Sequence, residues 1–532
     1  DFVFFYTEAG AFPRDVVQNS TANDRVSLFF ASASDSWAGL CFFLLLGSAF
    51  AFMIGFQTWR ANLVLWFMDM SVQNRCRFLL NAGDIVERLL LLWFLFLPMG
   101  QVLSWDSYYH SAGQRPTTKT QSTTTIMTTT STVLSGGSFA LTFQLFCIYW
   151  FAAMSKTSDE WTKDGTAVYY AMQHDRLSKE PMASLLRSSE LLWKPLCHFT
   201  LLWEWMGACL LILPMPPEIR ILVCELFIGM HIGFFLGIQL GLFPWVCMAY
   251  WITVLPGMFW EIYFGWYVVL HTQPRPQQQL KEWNHLRRTR SFLQQHIIPI
   301  VLTLYIVLPY NLEYLDDPRF PRTALDNSQR FYGQTLCLDQ KWTMFAPRPT
   351  TTDGWFYMPA TLKNGTQVEL WAHGFLQAGP IDWAMLEEQE SWNVSRLDDI
   401  PNSTYYNTPS GKLAAHLSRK KPFAVSSIPK NQLWLKFIWN IAVVDRYKHL
   451  RLHFGRGVCK IWNGRYRNDE GSKLYTWQLV FMKHLNQGPG RPETEVRPLM
   501  QWTHRCFASN STATTPSIPN STTATKTVRQ QQ

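Results

Sequence analysis

Charge is scarce in this sequence. Only 16% of its 532 residues are Asp, Glu, Lys or Arg, against 48% hydrophobic and 15% aromatic. A soluble chain carries about a quarter charged residues, and here the apolar residues are clumped into blocks, so an integral membrane protein is the first expectation. A mean hydropathy of −0.05 does not oppose this, because a polar C-terminal half averages against an apolar N-terminal half. Signatures of common soluble chemistries are also missing. No G-x-S-x-G, H-E-x-x-H, Walker or G-x-G-x-x-G pattern stands in a suitable context, so serine hydrolysis, zinc proteolysis and nucleotide chemistry have no support. The ten cysteines include no C-x-x-C pair and hence no metal-finger spacing. Cys41, Cys147, Cys197, Cys209, Cys224 and Cys247 fall in apolar runs as small core residues. Cys76, Cys337, Cys459 and Cys506 lie outside those runs and leave room for one or two disulfides. Among the histidines of the apolar blocks, His198 and His231 have no cysteine or carboxylate at ligand spacing, so no metal is expected. The formal charge of +9 lies largely in loops beside the apolar runs, which points to membrane topology and away from nucleic acid.

What the sequence does have is a series of long apolar runs. The first, Trp37–Phe56, is followed by Arg60–Arg75, which carries Asp69 and reads as a span or an interfacial helix. Gly83–Trp105 begins with charge: Asp84, Glu87 and Arg88 fall at i, i+3 and i+4, which predicts Asp84 beside Arg88 on one helical face. Residues 106–135 turn Thr/Ser-rich and read as a disordered loop. Next comes GGSFALTFQLFCIYWFAAMS, Gly136–Ser155, an uncharged run of the length that crosses a bilayer, with Lys156 directly after it. Blocks at 196–214, 219–240 and 242–270 follow in close succession and predict antiparallel neighbours, and 292–311 is the last run. Eight spans are visible. The sequence opens at Asp1 rather than a methionine, which leaves room for a ninth upstream.

Beyond residue 312 the composition becomes polar and rich in turn signals, and it predicts a mixed α+β domain over 312–507 with a disordered tail at 508–532. TQVELWAHGF (366–375) reads as strand, and LWLKFIWNIAVVDRYKHLRLHF (433–454) has helical periodicity. The basic stretch 271–291 belongs in the cytosol by the positive-inside rule, which places the chain after 312 in a lumen. Glycosylation sequons cluster there at Asn364, Asn393, Asn402, Asn510 and Asn520. Counting spans back puts 156–195 in the lumen and 106–135 in the cytosol. Asn19 reaches the lumen only if Arg60–Arg75 also crosses.

Polar groups within or beside the apolar runs are the candidates for chemistry: Asp84, Arg88, Lys156, Glu204, Glu225, His231 and Glu261. Charges in a bundle face a cavity or each other. A lysine at a lipid–water boundary is either a snorkelling anchor or a working group. As a working group, a desolvated amine takes a proton near neutral pH, and Lys156 is the candidate base with His231 or Glu204 as its proton partner.

A set of motifs then carries a resemblance. YTEAGAFPR (6–14), NAGDIVERLLLLWFLFLP (81–98), SWD (104–106), KTSDEWTKDGTAVYYAM (156–172), MHIGFFLGIQLGLFPW (230–245) and QKWTMFAPRP (340–349) occur in order. Together they resemble the horizontally transferred transmembrane (HTTM) domain family, related to vitamin K-dependent gamma-carboxylase. The resemblance covers about residues 1–350, and the 437–463 region resembles the C-terminal extension of such proteins. It implies a lyase that uses vitamin K hydroquinone or another reduced quinone with O2 and CO2, in the endoplasmic reticulum or another secretory-pathway membrane. A polypeptide or small-molecule substrate would be met on the lumenal side. Lys156 matches the family's proposed base, followed by Asp159, Trp161 and Gly165 of a D-x-W-x-x-x-G pattern, and His231 matches a histidine of a later helix. Ser155 stands where the carboxylase has a second lysine.

The expectation is therefore an all-α polytopic membrane bundle over residues 1–311 with a C-terminal lumenal α+β domain. Two other readings of the same fold stay open: a non-enzymatic scaffold or lipid-binding protein, and a transporter. An enzyme calls for a lumen-open cavity with Lys156 beside His231.

Overall fold

The computed structural model describes the chain apart from residues 1, 21–24, 102–103, 113–133, 175–176, 261, 264–291, 316–323, 372–375, 377–378, 381–431, 492–496 and 508–532. Most of the 106–135 loop, the basic 271–291 stretch and the tail therefore lie outside the described residues.

Five helices are long and apolar enough to cross a membrane: α1 (Asp35–Met53), α4 (Gly136–Met154), α5 (Glu190–Ile212), α6 (Pro217–Gly237) and α8 (Leu293–Glu313). Three more helices occupy the remaining expected runs: α2 (Thr58–Arg75), α3 (Ala82–Phe94) and α7 (Phe243–Thr253). Their boundaries follow from local chemistry. Ser135 accepts from the Ser138 backbone N–H while the Ser138 hydroxyl receives the N–H of Ser135, which starts α4 with a capping box. Asn81 and Asp84 do the same for α3, and Pro217 opens α6 at the one turn where a missing N–H is harmless.

The helices run alternately between two ends. At one end Trp105 N–H donates to Ile54 O, Asp106 accepts from Thr58, and Trp59 Nε1 donates to Leu95 O. Gly136 belongs to this end too, packed so close to the His296 carbonyl that a Cβ would lie 2.1 Å from its oxygen. At the opposite end Gly83 meets Phe243, Lys179 N–H donates to Gly237 O, and Arg25 and Arg77 reach Asp339. α2 thus returns the chain to the end where α1 began, although its polar residues Asn62, Ser71, Gln73, Asn74 and Arg75 are buried. α3 was expected as a span over Gly83–Trp105, but only its first part is α-helical. It is enclosed by neighbours and buries nine residues, so its apolar character is spent on protein contacts. α1 is the opposite case: only 11% of its apolar window is buried, with Phe43, Leu46, Phe50 and Met53 turned outward.

The C-terminal region combines α9 (Gln432–Val443) and α10 (Arg451–Arg465) with an antiparallel sheet. Its strands are β1 (Thr352–Tyr357), β2 (Pro359–Leu362), β3 (Gln367–Glu369), β4 (Gly379–Pro380), β5 (Leu474–Leu485) and β6 (Arg497–Arg505). β5 is central: β1 and β2 share one of its edges in the order β1-β5-β2-β3-β4, and β6 takes the other. Of the expected strand 366–375, β3 is seen at Gln367–Glu369 and 372–375 lie outside the described residues, while the helical run 433–454 is α9, a 3-10 stretch and the start of α10. Cys459 and Cys506 form the one disulfide among the described residues, tying α10 to the chain just beyond β6, while Cys76 and Cys337 are free and buried.

The N-terminal residues link the two regions: Phe4, Phe5 and Phe12 share one core with Phe78 beside α2 and with Trp434, Phe437 and Phe454 of the C-terminal region. Aromatic side chains in a short, charge-poor segment gain from burial in this dry core.

Candidate functional site

α4 stops at Met154, and the chain turns so that Lys156 points into the protein. Its backbone N–H donates to Ala153 O, and the side chain is only 4% exposed. Nζ forms an ion pair with the Glu204 carboxylate of α5, itself buried. The Trp161 ring covers the ammonium with its centroid 5.2 Å from Nζ. Lys156 is therefore not a snorkelled anchor, since an anchor would carry its charge out to water.

The D-x-W-x-x-x-G residues explain how that lid is held. Asp159 opens the short helix Asp159–Thr162 and pairs at 2.9 Å with Lys163 on the surface, where such a pair contributes little. Trp161 donates its Nε1–H to Phe345 O at 2.9 Å, and Ser158 N–H donates to Pro347 O at 3.2 Å, so the 340–349 stretch fastens the lid from above. Gly165 has φ +68°, and a Cβ there would come within 2.7 Å of His198 Nε2. The motif positions Trp161; within it, only the tryptophan touches Lys156.

His231 is not Lys156's partner in this structure. It is fully buried on α6, and its Nε2 lies 2.6 Å from the Tyr149 hydroxyl, which also accepts from Trp251 Nε1 at 2.8 Å. Phe234 and Phe243 stand edge-on to the ring. The ion-pair partner of Lys156 is Glu204, the other candidate. Two polar sets therefore lie along α4: Lys156–Glu204 at its end against α5, and Tyr149–His231–Trp251 roughly two turns deeper against α6 and α7.

Asp84 and Arg88 are also separated, contrary to the i, i+4 expectation. Asp84 turns back to accept from Asn81 N–H at 2.7 Å, the capping bond of α3. Arg88 donates instead to Cys337 O, Gln73 Oε1 and Asp339. Asp339 also receives Arg25 at 2.7 Å and Arg77 at 3.2 Å. Burial pushes the Asp339 carboxyl up, but the guanidiniums of Arg88, Arg25 and Arg77 outweigh it and hold it down at about 2. This is a structural clamp, and Asp84 and Arg88 belong to the framework around it.

Of the other candidates, Glu225 is exposed on α6, and Glu261 lies outside the described residues. Asn19 and Asn364 are both exposed at the sheet end, while Asn393, Asn402, Asn510 and Asn520 lie outside the described residues. Sequence reasoning missed Tyr149, Trp251, Asp339 and Asp353. Tyr149 is the one with a signal, being a hydroxyl one heptad before Lys156 in an uncharged run. It also passed over His174 as a surface residue. His174 is buried, and its Nδ1 lies 2.9 Å from Asp353 Oδ1 of β1, joining the 156–174 segment to the sheet.

The polar groups around Lys156 suit proton transfer. A crevice on the other side of Ser155, lined by Phe151, Asn311 and Trp342, has no space for even a water. A cavity of about 350 Å³ lies elsewhere, between α2, α3 and α9. Among the described residues no group of three or more His, Cys, Asp or Glu side chains is gathered to hold a metal ion. Comparison with family models, with curated proteins and with solved structures finds no match to this chain.

Proposed function

We propose that the chain is an integral membrane enzyme of the kind its motifs resemble, a vitamin K-dependent gamma-carboxylase-like lyase, with Lys156 as general base and Glu204 as its proton store. The observation that carries this reading is the buried Lys156–Glu204 pair under Trp161. Removing two charges from water costs several kcal/mol, which their attraction repays only with good geometry and further hydrogen bonds, and ionisable groups inside bundles mark working sites. Moving one proton from Nζ to the Glu204 carboxylate turns ammonium and carboxylate into amine and carboxylic acid without separating charge. The amine so formed is the species that accepts a substrate proton. A reduced quinone, when bound, supplies an acidic hydroxyl. Trp161 occupies the face of Nζ that a substrate ring would take, so access requires the 156–165 segment to move, and no step is routed through the quinone in the closed arrangement.

The Trp161 ring lying over Nζ favours a second reading, a membrane scaffold that retains the pair for shape.

The deciding experiment supplies purified protein in detergent with vitamin K hydroquinone, O2 and labelled CO2. Wild type is expected to oxidise the hydroquinone, and Lys156→Ala, checked for retained fold by tryptophan fluorescence, is expected to lose that activity. No turnover by wild type with any reduced quinone would leave the scaffold.

A further inference from the structure

The 350 Å³ cavity has a chemistry of its own. Its lining combines Asp69 of α2, Asp84 of α3 and Tyr6 with the aliphatic side chains of Leu80, Leu242 and Leu433. Asp69 commits Oδ2 to Gln73 Nε2 at 2.9 Å, and Asp84 commits Oδ2 to the Asn81 N–H at 2.7 Å, which leaves Oδ1 of each for a ligand. Glu87 adds a further carboxylate near Asp69. The positive groups nearby are accounted for differently. Arg88 is hydrogen-bonded to Asp339 and Gln73 yet still acts electrostatically on Asp69 and Asp84, and Lys436 of α9 acts on Asp84. No arginine or lysine lines the cavity itself.

We infer that this cavity is a binding site for a small organic cation, a protonated amine on an apolar body. Its ammonium would sit between Asp69 and Asp84 beside Tyr6, and its body would pack on Leu80, Leu242 and Leu433. The volume is at the lower end of small-molecule sites, which suits a single-ring ligand. Two carboxylates beside aliphatic side chains favour an ammonium over a neutral or anionic group of the same shape. The site is separate from the Lys156–Glu204 pair and does not depend on the proposed lyase activity. Leu242 does precede Phe243, whose ring stands 5.6 Å from His231, so a bound ligand lies one residue from the deeper polar set.

The test uses the full chain in detergent and calorimetric titration with 2-phenylethylammonium, 2-phenylethanol and 3-phenylpropionate. The amine is expected to bind saturably and the alcohol and acid to bind about tenfold or more weakly, the loss expected for a charge-assisted hydrogen bond. Asp69→Asn is expected to weaken the amine by a similar factor with an unchanged melting temperature, and Leu242→Trp to remove binding by filling the space. Where Leu242→Trp melts early, Leu80→Phe replaces it. Equal binding of amine and alcohol, no effect of Asp69→Asn, or no saturable amine binding would each overturn the inference. Lys156→Ala is expected to bind the amine like wild type, which separates this result from any outcome of the hydroquinone assay.

Discussion

Lys156 and Glu204 hold each other inside the protein, so neither residue has a stable role alone. Removing one leaves an uncompensated buried charge, which costs about 3–5 kcal/mol, whereas removing both with apolar replacements of similar volume is close to neutral. Lys156→Met and Glu204→Gln should therefore each lower the melting temperature in detergent sharply, and the double variant should recover most of the loss. Additive losses would mean that the two side chains are not coupled in solution. A second buried acid behaves differently because no cation pairs with it among the described residues. Glu369 of β3 accepts through Oε1 from the backbone N–H groups of Met358 and Trp371. Burial pushes its carboxyl up to about 8, although those two hydrogen bonds pull the other way. The folded state then keeps a proton that the unfolded chain, with an ordinary carboxyl near 4.3, has released. The associated stability is fully present below about pH 4.3 and is lost as the pH rises through about 8, up to roughly 5 kcal/mol in all. Melting curves from pH 4.5 to 8.5 should show this decline, and Glu369→Gln should flatten it. The pair and the lone acid show where sequence reading works and where it stops. Lys156 was visible as a charge at the end of an uncharged run, but nothing in the residues around 369 signals burial.

Elements are joined here by contacts that spacing rules do not see. The i, i+4 rule foretold Asp84 beside Arg88, and the helix start overrode it because Asp84 satisfies an orphan N–H at the first turn. Arg88 then found its carboxylate at Asp339, 251 positions along the chain. Asp339 collects Arg25 from the segment before α1, Arg77 from the turn after α2, and Arg88 from α3, and so pins three elements to the loop that leads to β1. Asp339→Asn leaves three guanidiniums facing one another. It should destabilise by at least about 3 kcal/mol and loosen the 336–349 stretch, read as faster amide exchange there. The wild-type contribution, from a carboxyl held at about 2, is present above the ordinary carboxyl range near pH 4 and is lost only as the pH falls through about 2. The disulfide follows the same lesson. Four cysteines outside the apolar runs were equivalent in sequence, and tertiary placement alone selects Cys459 and Cys506 while burying Cys76 and Cys337 apart.

At the scale of the whole molecule, the apolar runs announced the helices because lipid and protein interiors demand the same residues. For that reason hydropathy overstated α3, whose leucines face other helices, and understated α2, whose buried Asn, Gln and Arg side chains bond inside the bundle. The alternation of the helices decides which loops share a side. α2 brings the chain back to the sheet end, so the helix bearing Asn19, the 156–174 segment and the turn bearing Asn364 all lie at one end, and Asp106 and Gly136 at the other. If the bundle sits in a secretory-pathway membrane with the sheet in the lumen, both exposed asparagines are open to glycosylation and the far loop is not. Expressed in a glycosylating host, the protein should shift in mass on glycosidase treatment, by one glycan less in Asn19→Gln and one less again when Asn364→Gln is added. A new sequon engineered into the 113–133 stretch should remain unmodified. Modification of that sequon together with loss of both natural glycans would invert the topology. It would put Lys156 and Glu204 on the cytosolic side, where a lumenal substrate never meets them.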